Sequence, residues 1–376
     1  MQNELLLMMP GPVPMPERVR NAMARQAINH RGKEFGGVYA DCVRVLKALF
    51  GTKNDLFVLS GSGTAGMEAA IANVGLDKKI VSLVNGKFGE RLAEISGQYG
   101  DVNTLESEWG HPLMLDALAE ALEGGAEVVT MVHNETSAGI LNPAAEVGRL
   151  ARKHDALFIM DGITSIGGEH VAADEWGADI AIVGSQKCLA APAGLSAISV
   201  SERAWDRIAE KRPYYLDLKA YRKSASKSPM ETPYTPAVPL FFALREACLM
   251  AEEEGINERI ARHRRLADAV RAAADAWGLP LLPVSDALHS PSNTVTAIRY
   301  PDGINDPDLR GGVKKMGIEI AGGQDRLKGK IFRIGTMGVT GPSEVLATVA
   351  AVQGTLGKLG YIPAADGVSA ALEVLV

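Results

Sequence analysis

The sequence predicts an α/β protein in which a largely parallel sheet, covered by helices on both faces, is followed by a smaller α+β domain. Three observations carry this expectation. Between about residues 55 and 200, short β-branched runs alternate with helical stretches, the pattern that strand–helix crossovers produce. A long helical segment follows, after which strands and helices resume from Pro280 onward. At 376 residues, 47% of them hydrophobic, the chain is long enough to bury two sizeable cores.

In chain order, the strand Leu56–Leu59 enters a glycine-rich turn that opens a helix through Met67–Asn73. Strand Lys79–Asn85 precedes helix Gly89–Tyr99, and strand Glu127–Val132 precedes helix Ala144–His154. Leu157–Asp161 and Ile180–Val183 complete the apolar runs. The stretch Lys211–Pro239 is rich in proline, serine and lysine and reads as an ordered loop near the active site. Leu240–Trp277 then reads as one long helical segment. Beyond it, strands are expected at Asn293–Tyr300, Glu319–Ala321 and Ile331–Ile334, with helices at Asp306–Met316 and Ser343–Leu359. The expected division is an N-terminal segment 1–15, a large domain 16–255 and a small domain 256–376.

A formal charge of −6 removes the electrostatic reason to expect nucleic acid or an anionic membrane as a partner. The opening run Met1–Pro10 lacks a basic start and is too short for a signal sequence, and nothing approaches the roughly 18 apolar residues of a membrane span. Cys42, Cys188 and Cys248 are scattered, which argues against a disulfide framework or a structural zinc site, and no histidine pair has metal-ligand spacing. A cytoplasmic protein without a metal is the expectation.

Two strand ends carry chemistry. Lys187 follows the strand Ile180–Val183, and Asp161 closes the strand Leu157–Asp161, so both reach the sheet edge where α/β proteins collect ligands. A desolvated lysine is a nucleophile able to form a Schiff base, and a carboxylate suits a pyridinium nitrogen. These are the two protein groups that pyridoxal phosphate (PLP) chemistry most needs. Each has a plainer reading, a solvated charge for Lys187 and a turn or helix cap for Asp161.

Gly61–Gly66 matches the letters of a dinucleotide fingerprint, but the next strand ends in Val84-Asn85-Gly86, without a carboxylate for a ribose hydroxyl. A phosphate loop of the Lys-Ser/Thr type fails as well. What remains is a glycine-rich helix N-terminus whose free N–H groups, with the hydroxyls of Ser62 and Thr64, can hold a phosphate monoester.

Taken together, Pro10-Gly11-Pro12, Ser60–Ala70, His133-Asn134-Glu135-Thr136-Ser137-Ala138-Gly139, Asp161–Gly168, Gly184–Pro192 and Arg333-Ile334-Gly335 resemble the class V aminotransferases of PLP fold type I. The resemblance is specifically to the alanine–glyoxylate and serine–pyruvate aminotransferase group. It implies a mainly parallel seven-stranded sheet in the large domain and a homodimer with shared active sites. It also implies that Lys187 carries the cofactor as a Schiff base and moves the substrate proton, with Asp161 on the ring nitrogen. Ser62, Gly63, Thr64 and Gln186 would meet the phosphate, although mammalian members have histidine where this chain has Thr64. Phe88 would stack on one face of the ring and Ile163 would pack on the other, Thr136 would donate to the phenolic oxygen, and Thr235 would reach the neighbouring subunit's phosphate. Arg333 would fork the substrate carboxylate, the plainer alternative being an ion pair with a carboxylate such as Glu319.

The run Asn29-His30-Arg31-Gly32-Lys33-Glu34-Phe35 is similar to one in phosphoserine aminotransferases, where the His-Arg pair contacts a distal phosphate. Here His30 and Arg31 could grip a distal substrate anion or anchor the N-terminal segment. The leading expectation is transfer of an amino group from alanine, serine or aspartate to glyoxylate, pyruvate or 2-oxoglutarate. A phosphoserine-type aminotransferase, a PLP lyase or cysteine desulfurase, a non-catalytic scaffold subunit and a dinucleotide-dependent dehydrogenase are the alternatives.

Overall fold

A computed structural model describes residues 5–376. Seven strands form the main sheet in the order Asp55–Ser60, Leu195–Val200, Ile180–Gly184, Leu157–Asp161, Val128–Val132, Lys79–Val84 and Asp101–Glu106. Leu195–Val200 runs antiparallel to both its neighbours, and all other pairings are parallel. The expected mainly parallel, seven-stranded sheet is the one observed.

Successive side chains on a strand point to opposite faces, so a strand covered on both sides must be apolar throughout. Phe158 and Met160 join one core with Val129, Met131, Ala181 and Val183, while Leu157 and Ile159 join the other with Val128, Val132, Ile180 and Ile182. Helix Lys33–Phe50 and helix Val238–Glu254 close the first face, and helix Gly63–Val74 packs on the second.

The smaller unit is a four-stranded sheet in the order Leu6–Met8, Ile318–Gly322, Ile331–Gly335 and Val295–Arg299. Its core is built against helices Ile256–Trp277, Asp306–Lys315 and Pro342–Lys358, with the C-terminal helix Gly367–Leu375 packed alongside. The N-terminal segment is therefore stitched into this sheet, with Leu6–Met8 parallel to Ile318–Ile320.

Three expectations need correction. The segment Leu240–Trp277 is two helices, not one, because Gly255 (φ +86°) takes a conformation that ends the first helix and only glycine adopts cheaply. The stretch Lys211–Pro239 is not only loop: it contains helix Leu218–Ala225, capped by the Asp217 carboxylate, which accepts from the Lys219 N–H at 2.9 Å. Arg333 does not pair with Glu319, whose partner is Lys314 at 3.0 Å. Among the described residues, no helix is long and apolar enough to cross a membrane.

Candidate active site

The parallel strands end at one edge of the sheet, and there a cavity of about 260 Å³ opens. Its walls include Ser62, Gly63, Thr64, Phe88, Thr136, Asp161, Ile163, Gln186 and Lys187. Nine side chains picked out from five separate stretches of sequence thus meet in one place. Arg333, His30, Arg31 and Thr235 are not in its walls.

Lys187 is held by the N-terminal segment: its Nζ donates to the Pro10 carbonyl at 2.6 Å. Burial, the main cause, pulls the amine down to about 8, with Arg333 acting in the same direction and Asp161 opposing. Asp161 is buried, one oxygen accepting the Ile163 N–H at 2.8 Å. Desolvation pushes its carboxyl up to about 7, partly offset by that hydrogen bond. A cation brought beside its second oxygen would reverse the shift.

Another part of the lining is the N-terminus of helix Gly63–Val74. Ser62 makes no side-chain cap, and the N–H groups of Gly63 and Thr64 have no acceptor among the described residues, leaving them free for an anion. The Oε1 of Gln186 is buried without a hydrogen-bond partner. A Cβ at Gly63 would lie 2.5 Å from Ile163 Cδ1, so a larger residue there would displace the Ile163 side chain from its place in the wall. Asn85, at the place where a dinucleotide site needs an acid, is instead paired with Asn142 and the His111 carbonyl.

Arg333 sits just behind the wall, its Nη1 donating to the Thr136 carbonyl at 2.9 Å and its Nε to the Gly322 carbonyl at 3.0 Å. Burial draws its guanidinium down to about 10. Nη2 has no acceptor among the described residues. Arg31 lies on the surface and pairs with Glu231 at 3.1 Å, and Thr235, four residues further on, is exposed. His133 is a buried core histidine packed edge-on against Trp176, and Cys188 is buried, its thiol accordingly pushed up to about 12.

The structure adds residues that sequence reasoning passed over. Val132, Asn134 and Thr164 complete the walls, and Arg91 joins them with its guanidinium 5.0 Å from the centre of the Phe88 ring. Arg91 has no ion pair among the described residues. Its position three residues after Phe88 places both on one helix face, which was the available signal. Glu135 is fully buried, and four donors converge on its carboxylate. Burial raises its carboxyl above the usual range, and those donors pull it back.

Comparison with known proteins agrees with this geometry. A family model described as aminotransferase class-V matches residues 17–337. The chain is 46% identical to an uncharacterised aminotransferase of Methanocaldococcus jannaschii, across 99% of this chain and 97% of that one. It is 35% identical to the L-aspartate–glyoxylate aminotransferase of Paracoccus denitrificans, across 99% and 96%. The crystal structure of ureidoglycine–glyoxylate aminotransferase from Bacillus subtilis superposes with a TM-score of 0.93 at 34% identity, covering 100% of this chain and 98% of that one. With matching sequence from end to end and a lysine and an aspartate meeting at the edge of a seven-stranded sheet, the chain belongs to the class V aminotransferases.

Proposed function

We propose that the protein is a PLP-dependent transaminase that moves the amino group of a small amino acid, such as alanine, serine or aspartate, to glyoxylate, pyruvate or 2-oxoglutarate. The observation that carries this reading is the convergence of Lys187 and Asp161 on one cavity that is also lined by an uncapped helix N-terminus. The residues fit the cofactor. Gly63, Thr64 and Ser62, with the NH₂ of the Gln186 side chain, would hold its phosphate; Phe88 and Ile163 would flank its ring; Thr136 would face its phenolic oxygen.

When bound, PLP supplies an electron sink for negative charge at the substrate α-carbon. The protein's part is to position and to move protons. Lys187, with its amine drawn down to about 8, has a neutral fraction near physiological pH and would serve as the cofactor's tether and, once released from it, as the base for the α-proton. Asp161, once a cationic ring nitrogen lies beside it, would be ionised and would hold that nitrogen's proton. Arg333, just behind the wall, would offer its free Nη2 to the α-carboxylate and so fix how the substrate is turned.

Glyoxylate as acceptor is supported by the names of the Paracoccus and Bacillus relatives. The protein is further proposed to act in the cytoplasm as a homodimer with shared sites. Thr235, exposed and outside its own cavity, would reach the neighbouring phosphate, and His30 and Arg31 would approach the distal end of the neighbour's substrate. The ion pair from Arg31 to Glu231 supports treating these elements as one surface.

Purified protein mixed with PLP should develop a visible absorbance band that Lys187→Ala abolishes, and ketoacid formation across the common amino donors with three acceptors should rank the substrates. A colourless protein that takes up no PLP would refute the reading.

A further inference from the structure

The helix Lys87–Ser96 carries Phe88 and Arg91 into the cavity, yet its N-cap is Gly86, which has no side chain to satisfy the first N–H groups. Those groups are satisfied from elsewhere. The N–H groups of Phe88 and Gly89 donate to Glu135 Oε2 at 3.0 and 2.9 Å. The Lys87 N–H donates to Ser137 Oγ at 2.9 Å, and that hydroxyl donates onward to Glu135 Oε1 at 2.5 Å, beside the Ser137 N–H at 3.0 Å.

Glu135 and Ser137 therefore cap a helix to which they do not belong. Gly86 is the condition for this, because a Cβ there would lie 2.3 Å from Glu135 Cγ and 2.6 Å from Ser137 Oγ. Every group aimed at the carboxylate is a donor, and the site lies at the positive end of a helix, so an anion fits and an amide does not. Between the two capping residues stands Thr136, which lines the cavity with its side chain and receives Arg333 on its carbonyl.

We infer that Glu135 is a positioning residue: its carboxylate locks the Phe88 face, Thr136 and the Arg333 anchor into one unit, and so sets the plane in which the cofactor ring is held. Three segments distant in sequence, 86–91, 134–137 and 333, are registered against each other through a buried side chain. The role rests on the cofactor reading above.

Glu135→Gln offers oxygen to only one pair of donors and turns an NH₂ group toward the other. In unloaded protein, hydrogen exchange at the pair left facing the NH₂ group, either the Phe88 and Gly89 amides or the Ser137 amide, should accelerate by at least about tenfold. PLP should bind about tenfold to a hundredfold more weakly. In a Phe88→Ala background, adding Glu135→Gln should weaken PLP binding little further, because the residue acts through that ring. Should Glu135→Gln fail to fold, Ser137→Ala reports the same cap through faster exchange at the Lys87 amide. Unchanged amide exchange, or losses from the two substitutions that multiply, would overturn the role of Glu135. Wild-type protein that binds no PLP would overturn the cofactor reading instead, and the exchange measurement would still test the cap.

Discussion

Arg333 Nη1 donates to the carbonyl of Thr136 at 2.9 Å, tying a strand of the small sheet to the wall of the cavity in the large domain. The arginine is thus fixed at two of its nitrogens and presents the third. A lysine's single ammonium nitrogen could not occupy the Nε, Nη1 and Nη2 positions at once.

Arg333→Lys should therefore lower kcat/KM for amino donors by roughly tenfold to a hundredfold, the usual size of a lost charge-assisted pair. Steady-state rates and a PLP titration check this together. If PLP uptake fell by the same factor, the arginine would be propping Thr136 rather than holding substrate.

The amine of Lys187 is drawn down to about 8 by burial, and only its neutral form is nucleophilic. Trapping of added PLP on the unloaded protein by borohydride, read by mass spectrometry, should rise with pH and reach half its limit near pH 8. A midpoint near the ordinary lysine value of 10.5 would contradict the desolvated environment.

For Asp161 the linkage runs the other way from a paired carboxylate. Its folded value of about 7 lies above the ordinary 3.8, so between these the native state binds more protons than the unfolded chain. The stability this contributes is complete below about pH 4 and is lost as pH rises through 7, up to about 4 kcal/mol. Unfolding of unloaded wild type and Asp161→Asn should show wild type losing ground across that window. Glu169, also raised to about 7 by burial, is common to both proteins and cancels.

Gly11 has a φ of +88°, and a Cβ there would lie 2.6 Å from Lys187 Cδ and 2.9 Å from its Nζ. Gly11→Ala should cost about 1–2 kcal/mol of backbone strain and displace the lysine from the Pro10 carbonyl. Thermal unfolding and PLP uptake measure the two effects, and wild-type values for both would show that the lysine needs no such support.

What the sequence made legible follows from physics that acts locally. A strand buried on both faces advertises itself as an unbroken apolar run, so Leu157–Asp161 and Ile180–Gly184, and the groups at their ends, could be placed without coordinates. Leu195–Val200 was harder, since nothing in its residues says that it pairs antiparallel between two distant strands. The break at Gly255 was hidden because a lone glycine inside a helical pattern is usually tolerated. Glu135 stood inside a quoted motif, but its role depends on donors 46 and 47 residues away, a relation no local pattern encodes. Arg91 was missed for a simpler reason: charged residues on helices are mostly solvated.

The strand Leu6–Met8 and the Pro10 carbonyl place the beginning of the chain within a few residues of the reactive amine. Val376, by contrast, is fully exposed at the far end of helix Gly367–Leu375. Affinity handles and fluorescent fusions are therefore best kept clear of this segment, and trimming the chain through Pro10 removes an edge of one sheet and the lysine's latch in the same cut.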